Sequence, residues 1–150
     1  MGKEDAVVFD VDGVLLNTEY IFKEILNLNL KGDAKWNYFM EHCNSHKTKP
    51  IKNALDLWYC LNSRYKIFIS TARNEKCKEE TLLKLAESCF FTTEDNLFMR
   101  KNGDYRPALE IKREHLTEIM KNFNVLLFID DDLANCEMAK ELGILALRKV

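Results

Sequence analysis

Short apolar runs alternate with longer segments of helical periodicity along the whole chain. Five runs have the length and composition of buried strands, at about residues 6–10, 67–69, 96–99, 125–129 and 144–147. The intervening patterns predict helices at about 18–30, 34–43, 50–61, 75–88, 107–122 and 133–142. Pro50 and Pro107 are placed in the first turn of two helices, and Gly143 is placed to cap the last one.

Strands that alternate with helices predict a doubly wound, Rossmann-like α/β fold with a five-stranded parallel sheet. A length of 150 residues predicts one domain, residues 1–150. The stretch between the first two strands is longer than a minimal crossover. We therefore expect residues at about 18–49 to form a small helical insertion or cap.

Composition and charge narrow the class of protein. The chain is 47% apolar and 31% charged, as in soluble globular proteins, and its net charge of −2 gives no strong footprint for nucleic acid. No apolar run reaches membrane-spanning length and no signal-peptide pattern is present, so we expect a cytoplasmic protein without a membrane partner. Five scattered cysteines without C-x-x-C spacing predict free thiols rather than disulfides or zinc sites.

Polar clusters follow three of the predicted strands. They are Asp10 with Asp12, Ser70-Thr71 with Arg73, and Asp130-Asp131-Asp132. Taken alone, Asp10, Asp12 and Gly13 fit an ordinary solvated turn as well as they fit a metal-binding or catalytic site. Parallel strands bring all three clusters to one sheet edge, where converging carboxylates need a cation. Ligands that are all oxygen favour Mg²⁺, and such a site suits a phosphoryl group.

Lys112 lies in the middle of the apolar face of the helix predicted at 107–122. A lysine that faces the core needs a nearby anion. The alternative is a lysine that extends its ammonium group to the surface.

The sequence resembles a known family. Its Asp10-Val11-Asp12-Gly13-Val14 segment, Thr71, Lys112 and Asp130-Asp131 match, in order, the four motifs of the haloacid dehalogenase-like (HAD) hydrolase superfamily. The resemblance covers essentially the whole chain and implies the HAD-like fold.

A closer resemblance is to the 3′-phosphatase domain of bacteriophage polynucleotide kinase. It is carried by Thr71-Ala72-Arg73 and by the run Arg100-x-x-Gly103-Asp104-x-Arg106. The chain departs from those phage domains at Pro107-Ala108, where they carry acidic residues, and at residues 15–18, where they have an arginine.

The resemblance implies roles for these residues. Asp10 would be the nucleophile that forms an aspartyl-phosphate, and Asp12 would be the acid and base. Thr71 and Lys112 would complete the catalytic set. The Mg²⁺ ligands would be Asp10, the backbone carbonyl of Asp12, Asp131 and, as ligand or neighbour, Asp130. Arg73, and less directly Arg100 and Arg106, would bind the phosphorylated substrate.

The sequence leaves more than one candidate for the substrate. A polynucleotide 3′-phosphate or a nucleotide is the leading expectation, and a small metabolite such as a sugar phosphate or a free nucleotide is the alternative. A catalytically idle binding module is a third hypothesis, against which the intact set of site residues argues. Four aromatic residues of the insertion are expected to pack internally, with stacking on a base as the alternative: Tyr20, Trp36, Tyr38 and Phe39. The oligomeric state is not predicted.

Overall fold

The predicted strands form one parallel sheet in the computed structural model, which describes residues 2–150. They are β1 (Glu4–Phe9), β4 (Lys66–Asn74), β5 (Leu97–Arg100), β6 (Phe123–Asp130) and β7 (Leu145–Arg148). Their order, β5-β4-β1-β6-β7, places β1 at the centre. Two further strands, β2 (Leu16–Asn17) and β3 (Lys49–Pro50), pair in a separate antiparallel ribbon. The predicted doubly wound α/β fold is confirmed.

Helices cover both faces of the sheet. They are α1 (Glu19–Asn27), α2 (Gly32–His42), α3 (Lys52–Asn62), α4 (Lys78–Glu87), α5 (Ala108–Met120) and α6 (Leu133–Glu141), with short 3₁₀ turns at Glu75–Cys77 and Glu94–Asn96. Trp58 of α3 and Leu85 of α4 pack on one face, and Leu116 of α5 and Met138 of α6 pack on the other. Within residues 2–150, none of these helices is long and apolar enough to cross a membrane.

The alternation of side chains along β1 divides the core into these two layers. Val7 and Phe9 face the α3 and α4 side, whereas Ala6 and Val8 face the α5 and α6 side. All four side chains are at most 1% exposed. A strand that is covered by helices on both faces has no side facing water, so all of its side chains can be apolar. This explains the continuous apolar run in the sequence.

Pro50 corrects one prediction from the sequence. It does not open a helix, because it pairs with Leu16 in the β2–β3 ribbon, and α3 begins only at Lys52. The Ile51 N–H donates to the Leu15 carbonyl at 2.9 Å and ties this segment to the loop after β1. The ribbon is thus attached to the chain that leaves the central strand.

The second polar cluster also lies differently from the prediction. Thr71 and Arg73 belong to β4 itself, which continues to Asn74 instead of ending at Ile69. The pairing with β5 shifts register between Ser70 and Asn74. This irregular strand end extends past the last residue of β1 and directs Arg73 toward the segment that follows β1.

The helices α1 and α2 form a small cluster of their own around Ile21, Ile25, Phe39 and Cys43. Phe39 is buried, the Tyr20 hydroxyl bonds to Ser45 and Thr48 at 2.8 Å, and the Tyr38 ring stacks on His42. These three aromatic residues pack internally, whereas Trp36 is 55% exposed. All five cysteines are free thiols.

Candidate active site

The segment after β1 makes a tight turn against the end of β6. The Asp10 N–H donates to the Ile129 carbonyl at 2.9 Å, which fixes Asp10 at the carboxyl edge of the sheet. Gly13 adopts φ +81°, and a Cβ at this position would lie 2.2 Å from Oδ2 of Asp131. Only glycine therefore permits the close approach of this turn to the Asp131 carboxylate.

Three carboxylates converge at this edge. Asp10, Asp130 and Asp131 each offer an oxygen, and these oxygens lie within 4.8 Å of one another. Burial raises the pKa of Asp10 well above its ordinary value, and the nearby Asp130 and Asp12 raise it further against the opposing effect of Lys112. Burial, and then Asp130, also raise the pKa of Asp131. A crowded set of carboxylate oxygens fits a hard divalent cation such as Mg²⁺.

Lys112 is the cation that the protein itself supplies to this cluster. Its Nζ lies 2.9 Å from Oδ1 of Asp10 and 2.6 Å from Oδ2 of Asp130. The residue is 3% exposed, so the surface alternative does not hold. Burial lowers the pKa of Lys112, but the two carboxylates outweigh it and raise the pKa above the ordinary value. The ammonium group is therefore charged at neutral pH.

Asp130 is held on every side by the protein. Besides Lys112, it accepts the Asp132 N–H at 2.9 Å and the Asn135 side-chain amide at 3.3 Å. The Asp132 side chain in turn accepts the Ala134 N–H at 2.8 Å and caps α6. These contacts fix the buried Asp130 carboxylate, whereas Asp131 is the more exposed residue of the pair.

Arg73 and Asp12 form a second, adjacent ion pair. The Asp12 carboxylate accepts from Nη2 of Arg73 at 2.7 Å and from Nε at 3.0 Å. The Arg73 side chain is 0% exposed, whereas that of Asp12 is 20% exposed. This two-point contact fixes the plane of the Asp12 carboxylate and leaves part of it open.

The remaining donors of Arg73 are also occupied. Nη1 donates to Asn44 Oδ1 at 2.6 Å and to Thr81 Oγ1 at 3.2 Å, and Nη2 also reaches the Cys43 carbonyl at 3.4 Å. Every nitrogen of the guanidinium therefore has a protein acceptor. The phosphate contact predicted for Arg73 would require it to leave these partners, so the geometry favours a role in positioning Asp12.

The other two arginines predicted to bind substrate stabilise the loop after β5. Arg100 donates to the backbone carbonyls of Ala72, Asp104 and Arg106. Arg106 pairs with Asp104 and Glu114, and its hydrogen bonds lower the pKa of Asp104 to about 2. Arg106 bonds to carboxylates and Arg100 bonds to backbone carbonyls. Both arginines therefore belong to the network of this loop and not to the carboxylate cluster.

Thr71 lies beside the site on β4. It is 1% exposed, and its Oγ1 accepts the Arg73 N–H at 3.2 Å. The neighbouring Ser70 faces the other way and bonds to Nδ1 of His115 at 2.7 Å, while Nε2 lies 3.2 Å from the Met99 carbonyl. Burial lowers the pKa of His115 to about 4. This imidazole is therefore neutral near pH 7 and joins α5, which carries Lys112, to the sheet.

The structure brings Asp10, Lys112, Asp130 and Asp131 together at one edge of the sheet. Asp12 follows β1 and Thr71 lies on the neighbouring strand β4, where both are joined to Arg73. The sequence predicted that these residues share one edge. It did not identify Asn44 and Thr81 as partners of Arg73, nor Arg148 beside Asp131. Asn44 belongs to a polar loop and Thr81 to an ordinary helix. No motif or periodicity marked either residue.

Solved structures with the same arrangement of elements are known. One is a chain of the Pnkp1/Rnl/Hen1 RNA repair complex, with a TM-score of 0.75, 23% identity, and coverage of 97% of this chain and 42% of that chain. Another is the class C acid phosphatase from Bacillus anthracis with tungstate bound, with a TM-score of 0.72, 13% identity, and coverage of 100% and 69%. A third is a HAD family enzyme from Bacteroides thetaiotaomicron in a magnesium complex, with a TM-score of 0.61, 20% identity, and coverage of 98% and 93%.

These likenesses show a shared fold. The chain spans less than half of the length of the chains from the RNA repair complex, 42% and 46% in two structures. No curated protein shows significant sequence similarity to the chain. The sequence does match, over residues 1–144, the family described as HAD superfamily, subfamily IIIB (acid phosphatase). The chain therefore belongs to this acid phosphatase family of the HAD superfamily, as its resemblance to HAD hydrolases predicted.

Proposed function

We propose that the protein is a Mg²⁺-dependent phosphatase that acts through a phosphoryl group carried on Asp10. The observation that carries this proposal is the convergence of three carboxylates and the Lys112 ammonium group at one sheet edge, with Lys112 bound to Asp10 at 2.9 Å. Such a cluster suits the charge that develops on a transferring phosphoryl group. Membership in an acid phosphatase family supports the same reaction class.

In this mechanism Asp10 and Asp12 have separate tasks. A carboxylate oxygen of Asp10 forms a bond to phosphorus while the bond from phosphorus to the leaving oxygen breaks. Protonated Asp12 gives its proton to that leaving oxygen. Asp12 then takes a proton from a water molecule, whose oxygen attacks the aspartyl-phosphate, releases inorganic phosphate and restores both carboxyl groups.

The other residues of the site would bind the metal ion and the phosphoryl group and offset their charges. Asp10, Asp131 and the Asp12 backbone carbonyl would hold Mg²⁺, with Asp130 beside them. The chemistry supplied by the bound ion is neutralisation of charge on the phosphoryl oxygens. Lys112 offsets the negative charge of Asp10, and the Thr71 hydroxyl donates to a phosphoryl oxygen.

For the substrate, we favour a polynucleotide 3′-phosphate or a nucleotide. Two observations support this: the likeness of the fold to a chain from an RNA repair complex, and the shortness of the insertion, whose helices α1 and α2 have 9 and 11 residues. We infer that so short an insertion leaves room for a large molecule at the carboxyl edge. A small phosphomonoester is the second candidate, favoured by the match to an acid phosphatase family.

A substrate panel tests both the reaction and the choice of substrate. We expect phosphate release from an aryl phosphate with Mg²⁺ and none after chelation by EDTA. Across 3′-phosphorylated oligonucleotides, mononucleotides and sugar phosphates, kcat/KM should be highest for the oligonucleotides. Equal or better turnover of sugar phosphates would contradict the nucleic-acid assignment but leave the phosphatase assignment intact.

The Arg73–Asp12 pair leads to a prediction about leaving groups. Arg73→Gln should lower kcat more for an alkyl phosphate than for a nitrophenyl phosphate, by roughly tenfold or more in the ratio. The reason is that a poor leaving group depends on proton donation by a well-oriented Asp12, whereas a good one does not. The measurement is kcat for both esters in both proteins.

The matched variant is Arg73→Lys, which keeps the positive charge but cannot make the two-point contact. We expect Arg73→Lys to show the same selective loss in a milder form. An equal loss for both esters, with a raised KM, would instead favour the direct phosphate contact predicted from the sequence.

A further inference from the structure

The carboxyl end of β7 reaches the candidate active site from the side opposite Arg73. Arg148 stands in register with Asp130, and the Lys149 N–H donates to the Asp130 carbonyl at 2.8 Å. Nε of Arg148 donates to the Asp131 carbonyl at 3.2 Å. The guanidinium is therefore attached to the backbone of the segment that supplies two of the three clustered carboxylates.

Arg148 differs from the other arginines near this edge in what its donors contact. Arg73 is fully engaged inside the protein, and Arg106 is paired with Asp104 and Glu114. Arg148 is exposed, and among residues 2–150 its two terminal nitrogens make neither a hydrogen bond nor an ion pair. It presents a planar pair of N–H donors to the solvent at the edge of the site, a geometry that suits a phosphate group.

The spacing of the strands gives the distance at which such a contact would occur. One strand, β6, separates β7 from β1. Two strand spacings amount to about 10 Å, the approximate distance across the sheet from the line of Asp10 to that of Arg148. Because Nε of Arg148 donates to the Asp131 carbonyl at the end of β6, the guanidinium extends from β7 toward the carboxylate cluster.

We propose that Arg148 binds a second anionic group of the substrate, next to the phosphate that is removed. The preferred substrate class is then a phosphomonoester that carries a further phosphate at the spacing of one nucleotide, as in a 3′-phosphorylated nucleic-acid end. The inference rests on the proposed phosphatase function and extends it to the choice of substrate.

Arg148→Gln tests this proposal with a pair of substrates that differ by one phosphodiester. A 3′-phosphorylated dinucleotide has an internucleotide phosphate, which a nucleoside 3′-monophosphate lacks. We expect the ratio of their kcat/KM values to fall about tenfold in the variant, through the KM of the dinucleotide, because a charged hydrogen-bonded contact is lost. Arg64→Gln, an exposed arginine before β4 at the opposite end of the sheet, is the control and should leave this ratio unchanged.

Binding measurements separate this inference from the reaction itself. In an Asp10→Asn background, calorimetry should give a Kd for the dinucleotide that rises about tenfold when Arg148→Gln is added, and this result would support the inference even if the protein released no phosphate. An unchanged Kd, or an equal loss for both ligands, would overturn it. Absence of phosphate release from every substrate with intact binding would overturn the proposed function alone.

Discussion

Asp10→Asn is expected to abolish phosphate release, with kcat lowered by roughly 10⁴-fold or more. The amide has the shape of the carboxylate but cannot form the bond to phosphorus. The substitution also removes one of the three negative charges that cluster at this edge. The measurement is steady-state phosphate release with Mg²⁺, together with mass spectrometry of acid-quenched wild-type protein, which should detect the phosphorylated form that the variant lacks.

The variant should remain folded, which separates chemistry from structure. Asparagine can keep an oxygen near the Lys112 ammonium group, and it removes a carboxylate whose pKa burial has already raised. Asp5→Asn, at the opposite end of the same strand β1, is the matched control and should retain full activity. Turnover by Asp10→Asn above about one hundredth of the wild-type rate would exclude Asp10 as the nucleophile.

The parts of the site that the sequence predicted are those fixed by strand ends and by one helix face. Asp10 follows a short apolar run that was predicted to be a buried strand, and the parallel sheet brings Asp130 to the same edge. Lys112 was predicted to face inward from the 3.6-residue period alone, and the structure supplies the two anions that this position required.

What the sequence did not predict depends on contacts between distant segments. The acceptor set of Arg73 includes Asn44 in the loop after α2, and no local pattern encodes that contact. Pro50 has the typical signal of a helix start, but its pairing with Leu16 overrides that preference. The last strand was predicted from its apolar residues alone, and these carry no information about Arg148. The position of Arg148 beside Asp131 follows from the register in which β7 pairs with β6.

Lys112→Met should be the most destabilising single substitution at the site, lowering the free energy of unfolding by about 3–5 kcal/mol. Methionine fills a similar volume but leaves the buried Asp10 and Asp130 carboxylates without their shared cation. Activity should fall together with stability, since the nucleophile loses the charge that offsets it. Urea unfolding followed by circular dichroism measures the first effect, and phosphate release by the folded variant measures the second.

A second substitution distinguishes loss of charge balance from loss of packing. Lys112→Met with Asp130→Asn should regain a large part of the lost stability, because one of the two unpaired buried charges is gone, while activity stays low. Lys121→Met, an exposed lysine at the end of the same helix that pairs with Glu118, is the control and should change stability by less than about 1 kcal/mol. Two outcomes would contradict this role for the buried ion pairs in holding α5 against the edge of the sheet. One is a Lys112→Met variant with the wild-type urea midpoint of unfolding, and the other is a double variant that is no more stable than the single one.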